Sequence, residues 1–306
     1  MKRDFFILIW IVVLGNLITF SCTEPISLTN DGMDPMMVIT CILTDTLSEH
    51  YAHQILMENH VLIQKTTHFF GDQVIEYIED AKVWLNSESL LMSGPGVYSL
   101  KGFQPLPGET YTLEIHYDIN EDGIDEIFTS STTMPQECHL DSVALYPLFE
   151  GRSDYLAALV LFFKGNSGEN YYGARLNNDV SDRFFSSRLL RYSLFQFDMF
   201  FGESTYKRLP MDWFISHEMS YDNDSKYHIY AGDTLSVTLE SLSKEYHRFL
   251  KVARDELNLN NPLFSGPSSN VPSNISGGAL GIFGAYTSSS AKIVLPLNTP
   301  GLPKRP

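Results

Sequence analysis

The chain has 306 residues, which at about 150 residues per domain predicts roughly two domains. Its composition, 43% hydrophobic and 19% charged, is typical of a globular protein and excludes a disordered, collagen-like or coiled-coil chain. The 21 basic and 37 acidic residues give a net charge of −16, which would repel a phosphate backbone, so nucleic acid is not expected as a partner.

The N-terminus has the pattern of an export signal over residues 1–21. Lys2 and Arg3 are followed by a mainly apolar stretch from Phe5 to Phe20. A retained membrane anchor, the alternative, needs about 20 apolar residues, and Asn16 and Ser21 end this stretch early.

The step from Ser21 to Cys22 resembles the lipobox of bacterial lipoproteins. The resemblance implies that Cys22 is diacylated and becomes the mature N-terminus. Two or three acyl chains hold a protein on a membrane far more firmly than one chain does. We therefore expect an exported lipoprotein held by this lipid, with the outer membrane as the favoured location and its face left open. The alternative is an ordinary cleaved signal that leaves Cys22 as a free thiol.

After the signal, residues 22–35 are rich in Pro, Gly, Asn and Asp and predict a tether. From residue 36 to about 136, six or seven short runs of strand-forming residues are separated by turn residues, which predicts an all-β, Ig-like sandwich. Within Thr110–Tyr117, Tyr111, Leu113, Ile115 and Tyr117 alternate with polar residues, as in a strand with one buried face.

Residues 138–306 predict a larger antiparallel β-domain with one helix near 242–258. The helix is indicated by apolar residues at helical spacing from Leu242 to Leu257, with Ser241 or Ser243 as its N-cap. Two apolar strands are predicted near the end, at Ala279–Tyr286 and Ile293–Leu295.

The two parts differ in charge. Residues 23–138 hold 19 acidic residues against three lysines, a net charge of −16, whereas residues 139–306 hold 17 acidic and 16 basic residues, a net charge of −1. This asymmetry supports a boundary near residue 138. The acidic part is either a solvated surface that keeps the protein soluble or a surface that meets a basic partner or divalent cations.

Together these segments resemble the DUF4249 family, exported lipoproteins of Bacteroidota that carry a domain of unknown function. The segments that carry the resemblance, in order, are VITCILTDTL, DAKVWL, GVYSLKGFQPLPGETYTLEIHY, ENYYGARL, SLSKEYHRFL, NPLFSGPSSNVPSNI and GGALGIFGAY. The resemblance spans about residues 36–295. It implies an envelope role beside a TonB-dependent outer-membrane receptor and supplies no catalytic residues.

One motif could bind a metal. Asp118, Asn120, Asp122 and Gly123 match the first half of a D-x-N-x-D-G calcium loop. However, position 12 would be Thr129 instead of a bidentate Glu, and an Asp-Gly pair between two strand patterns also favours a β-hairpin turn. The hairpin is the favoured interpretation, and calcium is the alternative.

No set of residues in the sequence specifies a reaction. His217-Glu218 begins a zinc-protease motif, but Tyr221 stands where the second His is needed. Glu76, Glu79 and Asp80 cluster, and a glycosidase needs two carboxylates at the right separation. Abundant Tyr and Phe are expected mainly in the core, with a sugar-stacking surface as the alternative.

Cys41 and Cys138 could form a disulfide in an oxidising periplasm or remain two buried thiols.

The sequence therefore predicts a non-catalytic binding or accessory subunit of the envelope, associated with a TonB-dependent receptor and requiring no cofactor. A hydrolase acting on a glycan or envelope polymer is the alternative.

Overall fold

The computed structural model describes residues 35–45, 59–66, 75–100, 102–147, 157–178, 193–197, 206–215, 218–222, 225–228, 230–258, 271–298 and Lys304. These residues form four β-sheets and one α-helix, so the predicted all-β class is confirmed. The predicted signal peptide, Cys22 and all of the tether except residue 35 lie outside the described residues.

The largest sheet has nine strands, and it joins the beginning of the described chain to its end. Strands from both sides of residue 138 therefore share one sheet. Its strands, in spatial order, are β13 (Ser193–Phe197), β12 (Asn170–Asn178), β17 (Thr234–Leu242), β18 (Leu280–Val294), β1 (Met37–Thr44), β2 (His60–Lys65), β7 (Val97–Ser99) and β6 (Leu91–Gly94), with β3 (Glu76–Tyr77) also paired to β2.

The smaller sheets have four, three and two strands. The four-stranded sheet has the order β5 (Glu88–Ser89), β4 (Lys82–Leu85), β8 (Thr110–Tyr117) and β9 (Glu126–Thr133). The other two contain β10 (Leu140–Pro147), β11 (Ala157–Lys164) and β14 (Tyr206–Ile215), and β15 (Glu218–Asp222) with β16 (Ser225–His228).

The first and last strands of the large sheet, β1 and β18, pair in parallel, in register from Val38 opposite Leu280 to Thr44 opposite Tyr286. Parallel neighbours need a long connection, and here the connection is most of the chain. Gly281 permits the close approach, because its φ is +113° and a Cβ there would lie 1.9 Å from the Ile39 carbonyl oxygen.

The main core lies between the nine-stranded and four-stranded sheets. It joins Ile39 and Ile63 of the large sheet to Val83, Leu113 and Phe128 of the small one, all buried. Two sheets packed on a shared apolar core form a sandwich. The more specific Ig-like assignment for residues 36–136 stays a prediction.

A second core lies beneath the three-stranded sheet. Leu161 and Phe163 of β11 belong to one buried cluster with Val237 and Leu239 of β17. The Phe163 and Tyr172 rings meet edge to face, with centroids 5.5 Å apart. The apolar side chains of β11, β12 and β17 that belong to this cluster are thus removed from water.

The helix, α1 (Lys244–Asn258), packs through Tyr246 and Leu250 against Ile282 and Tyr286 of β18. A Cβ at Gly284 would lie 2.7 Å from the Tyr246 Cβ, so glycine permits this approach. Ser243 caps the helix, since its Oγ accepts the Tyr246 N–H at 3.4 Å, and the prediction of Ser243 as one of two N-cap candidates is confirmed.

Several predicted elements match the structure closely, and one does not. Strand β8 has the predicted ends, and the predicted burial of Tyr111, Leu113 and Ile115 is confirmed. The two strands predicted over 279–295 are one strand, β18. Ser288 to Ser290 lack an apolar pattern, but they pair with β17 and continue the strand.

Residues 35–306 form one compact unit, and the boundary predicted near residue 138 falls between β9 and β10. The division into two domains, 36–136 and 138–306, stays a prediction. Among the described residues, no helix combines the length and apolarity needed to cross a membrane.

Candidate functional site: the outer face of the four-stranded sheet

The four-stranded sheet has one face in the main core and one outside it. Because side chains alternate along a strand, Val83 and Leu85 point into the core and Lys82 and Trp84 point away. In register, Trp84 lies opposite Glu114, and Lys82 lies opposite His116. We call this surface the outer face; its residues are Lys82, Trp84, Thr110, Thr112, Glu114, His116, Ile127, Thr129, Ser131 and Thr133.

Three side chains of the outer face are in mutual contact. The Trp84 and His116 rings lie edge to face with centroids 4.8 Å apart. His116 Nε2 is 2.7 Å from Glu114 Oε1, two residues earlier on the same strand. Trp84 is half-buried and is not part of the apolar clusters that form the cores. The group therefore places an indole, an imidazole and a carboxylate side by side at the surface.

A hollow with a volume of about 450 Å³ adjoins this group. It shares Lys82 and His116 with the outer face, and Lys82 Nζ is 2.5 Å from Asp125 Oδ2. The remaining lining residues come from the bend before β4 and the loop between β8 and β9; they are Asp80, Tyr117, Asp118, Glu121 and Gly123. Carboxylate oxygens thus outnumber donors in the wall of the hollow.

The residues of the predicted calcium motif form the β8–β9 hairpin loop. Asp118 closes this loop, since its two carboxylate oxygens accept the Asp122 N–H at 3.1 Å and the Gly123 N–H at 2.7 Å. Asp122 Oδ1 accepts the Ile124 N–H, and the Asn120 amide bonds to Glu126. The favoured hairpin prediction is confirmed. Within the described residues, no group of three or more His, Cys, Asp or Glu side chains could hold a metal.

The three acidic residues that cluster in the sequence, Glu76, Glu79 and Asp80, have different surroundings in the structure. Glu76 lies 3.2 Å from Lys65 in an ion pair. Glu79 and Asp80 are exposed, and Asp80 belongs to the wall of the hollow. Burial chiefly, with a smaller effect of these two carboxylates, raises the pKa of Tyr98, whose hydroxyl donates to the Ile78 carbonyl.

A serine and a histidine meet elsewhere in the fold. Ser289 Oγ is 3.4 Å from His139 Nδ1 and accepts the Leu140 N–H at 3.0 Å. Ser289 is buried, so its hydroxyl is committed to anchoring the start of β10. A nucleophile must face a space where substrate can sit. This contact is therefore structural.

Cys41 and Cys138 are both free and buried, so the alternative of two separate thiols is the correct one. Burial raises the pKa of the Cys41 thiol, and it raises the pKa of Cys138 to about 11. Cys138 Sγ donates to the Lys164 carbonyl at 3.3 Å. Both thiols are inert packing groups.

The group formed by Trp84, Glu114 and His116 was not predicted from the sequence, although one signal was present. In the run Lys82–Leu85 the alternation of Val83 and Leu85 leaves Trp84 on the polar side of the strand. The neighbours of Trp84 come from a strand about 30 residues away, and only the pairing register brings them together.

The comparisons with known proteins give one family match. Neither the curated proteins nor the solved structures include one that matches. The family model described as "Domain of unknown function (DUF4249)" matches residues 23–292, which is most of the chain. The chain belongs to the DUF4249 family.

Proposed function

We propose that this protein is a non-catalytic binding or accessory subunit of the cell envelope that works beside a TonB-dependent outer-membrane receptor. In this proposal Cys22 carries the lipid that holds the chain on the outer membrane. The family resemblance and the Ser21-Cys22 step support the location. The charge of the first part of the chain supports the binding role.

The observation that carries the binding role is the exposed excess of acidic side chains before residue 138. In the described part of this region, the two lysines already have acidic partners: Lys65 pairs with Glu76 and Lys82 with Asp125. Further carboxylates are exposed in the same region, including Glu79, Glu88 and Glu109. A surface of one sign steers and orients a partner of the opposite sign.

The alternative, a hydrolase acting on a glycan or envelope polymer, has weaker support. It rests on abundant carboxylates and aromatics. Ser289 and His139, which meet in the structure, hold a strand in place. The hollow near Asp118 contains carboxylates, but Asp118 itself is engaged by backbone N–H groups.

Metabolic labelling with a fatty-acid analogue tests the anchor. We expect label on the wild-type protein and none on Cys22→Ala, because only the thioether at this cysteine can carry the diacylglyceryl group. Equal labelling of both proteins would reject the lipoprotein assignment.

Affinity purification from the native envelope, at low and high salt, tests the partner. We expect a TonB-dependent receptor at low salt and less of it at high salt, because salt screens contacts between exposed charges. Glu79→Gln/Glu88→Gln/Glu109→Gln is expected to reduce recovery in the same way. Failure to recover such a receptor at either salt, together with turnover of a glycan or peptide library, would favour the hydrolase.

A further inference from the structure

The outer face carries a half-buried aromatic ring that belongs to none of the core clusters. This ring is that of Trp84, which contacts His116. Val83 and Leu85, on the opposite side of the same strand, pack in the main core. An indole at the surface beside polar groups offers an apolar plane and a hydrogen-bonding edge to a ligand.

The outer face by itself is too small for a stable protein interface. Three strand spacings of about 4.8 Å and the eight residues of the longest strands, β8 and β9, at about 3.4 Å give the outer face an area of at most roughly 400 Å². A stable protein interface buries about 800 Å² on each partner. On the outer face, the large apolar side chains are Trp84 and Ile127. A ligand of the width of one sugar chain fits this area better.

The charges of the surface select the type of ligand. Lys82 pairs with Asp125, and His116 lies within hydrogen-bond distance of Glu114, so the cationic and imidazole groups already have partners. The hollow adds the carboxylates of Asp80 and Glu121. Carboxylates accept hydrogen bonds and repel anions. The surface therefore disfavours an anionic ligand and offers acceptors to a ligand that is rich in hydroxyl donors.

We infer that the outer face and the adjoining hollow bind a neutral oligosaccharide. The C–H face of one pyranose ring packs on the Trp84 indole. Hydroxyl groups of the oligosaccharide donate to the Glu114 carboxylate and, in the hollow, to the carboxylates of Asp80 and Glu121. His116 positions both the indole and the Glu114 carboxylate through its two contacts. This inference does not depend on the receptor association proposed above.

Affinity electrophoresis tests the site directly. The full-length protein, kept in a polyoxyethylene detergent without a sugar headgroup, is run in native gels containing dextran, xylan or galactomannan, with polygalacturonate as the anionic comparison. We expect retardation by at least one neutral polysaccharide and none by polygalacturonate. Trp84→Ala is expected to bind roughly tenfold more weakly, because the stacking plane is lost.

Two matched variants separate binding from folding. Tyr77→Ala removes another exposed aromatic ring, away from the outer face, and is expected to leave retardation unchanged. Trp84→Phe keeps an aromatic plane and is expected to restore most of the affinity. Melting temperatures within 2 °C of wild type would show that the variants are folded, since Trp84 is outside the core.

Three results would overturn the inference: no retardation of the wild type by any neutral polysaccharide, stronger retardation by polygalacturonate, or unchanged retardation of Trp84→Ala. Receptor recovery from the envelope is measured on the same Trp84→Ala protein and is expected to equal that of wild type. Loss of one activity without the other would therefore identify which proposal has failed.

Discussion

The side-chain amide of Asn274 bonds both backbone groups of Phe283. Its Nδ2 donates to the Phe283 carbonyl at 2.7 Å, and its Oδ1 accepts the Phe283 N–H at 2.9 Å. This part of β18 lies beyond the last β17 pair, Leu242 opposite Tyr286. The Asn274 carbonyl also accepts the Ser130 hydroxyl at 2.8 Å, so one residue links β18 to β9.

Asn274→Ala is expected to destabilise the protein, because it removes two hydrogen bonds from part-buried backbone groups. A loss of about 2 kcal/mol would lower the melting temperature by roughly 4 to 8 °C. Thermal unfolding followed by circular dichroism measures it. Ser131→Ala, on the exposed side of β9, is the control and is expected to change little. Equal melting temperatures of Asn274→Ala and the control would contradict the bridging role.

Two glycine positions allow the cost of a steric clash to be measured separately from the cost of backbone strain. Gly281 and Gly278 both have positive φ, but a Cβ at Gly281 would lie 1.9 Å from the Ile39 carbonyl oxygen, whereas a Cβ at Gly278 meets nothing within 4 Å. We expect Gly278→Ala to cost about 1 kcal/mol from strain alone. Gly281→Ala must also push β1 away from β18, and we expect a cost of more than about 4 kcal/mol or failure to fold.

Urea unfolding of the two glycine variants compares these free energies. A similar loss of free energy for both variants would mean that β1 and β18 can move apart without destabilising the protein. That result would contradict close packing of β18 on β1 at Gly281.

The strands could be predicted where one face is buried and the other exposed. Thr110–Tyr117 alternates cleanly, and this strand has the predicted ends. The parallel pairing of β1 with β18 could not be predicted, because it joins residues about 240 positions apart. Local alternation records which face of a strand is buried but not which strand lies beside it.

The candidate site shows the same limit. Asp118 and Asp122 were visible as a motif, because they are close in sequence. Trp84, Glu114 and His116 were not recognised as a group, since their contact depends on the register between β4 and β8.

The β8–β9 loop is held by hydrogen bonds of the chain itself, and this leads to a prediction about calcium. We expect Asp118→Ala to lower stability by about 1 to 2 kcal/mol, because two backbone N–H groups lose their acceptor. The loss should be equal in EDTA and in millimolar calcium. Melting temperatures in both solutions measure it, with Asp141→Ala, an exposed aspartate on β10, as the control. A rise in the wild-type melting temperature with calcium that Asp118→Ala abolishes would instead support the calcium alternative.

The buried His247 side chain leads us to expect that the folded protein loses stability in acid. Its ring is buried between α1 and β12, with its centroid 5.0 Å from that of Tyr171, and its Nε2 makes no hydrogen bond to a described residue. Burial chiefly, with the positive charges of Lys251 and Arg254, lowers the pKa of His247 to about 4 from its usual value of 6.5.

Because the folded-state pKa of His247 lies below its unfolded value, the unfolded chain takes up the proton first as the pH falls. The stability from neutral His247 is fully present above pH 6.5 and is lost as the pH falls toward 4, by on the order of 3 kcal/mol. Urea unfolding at several pH values measures this loss. His247→Phe keeps a ring against Tyr171 but cannot be protonated, so its stability should fall less over this interval. Ser131→Ala, which changes an exposed residue that does not titrate, should follow the wild type. Parallel curves for wild type and His247→Phe would show that His247 does not cause the acid sensitivity.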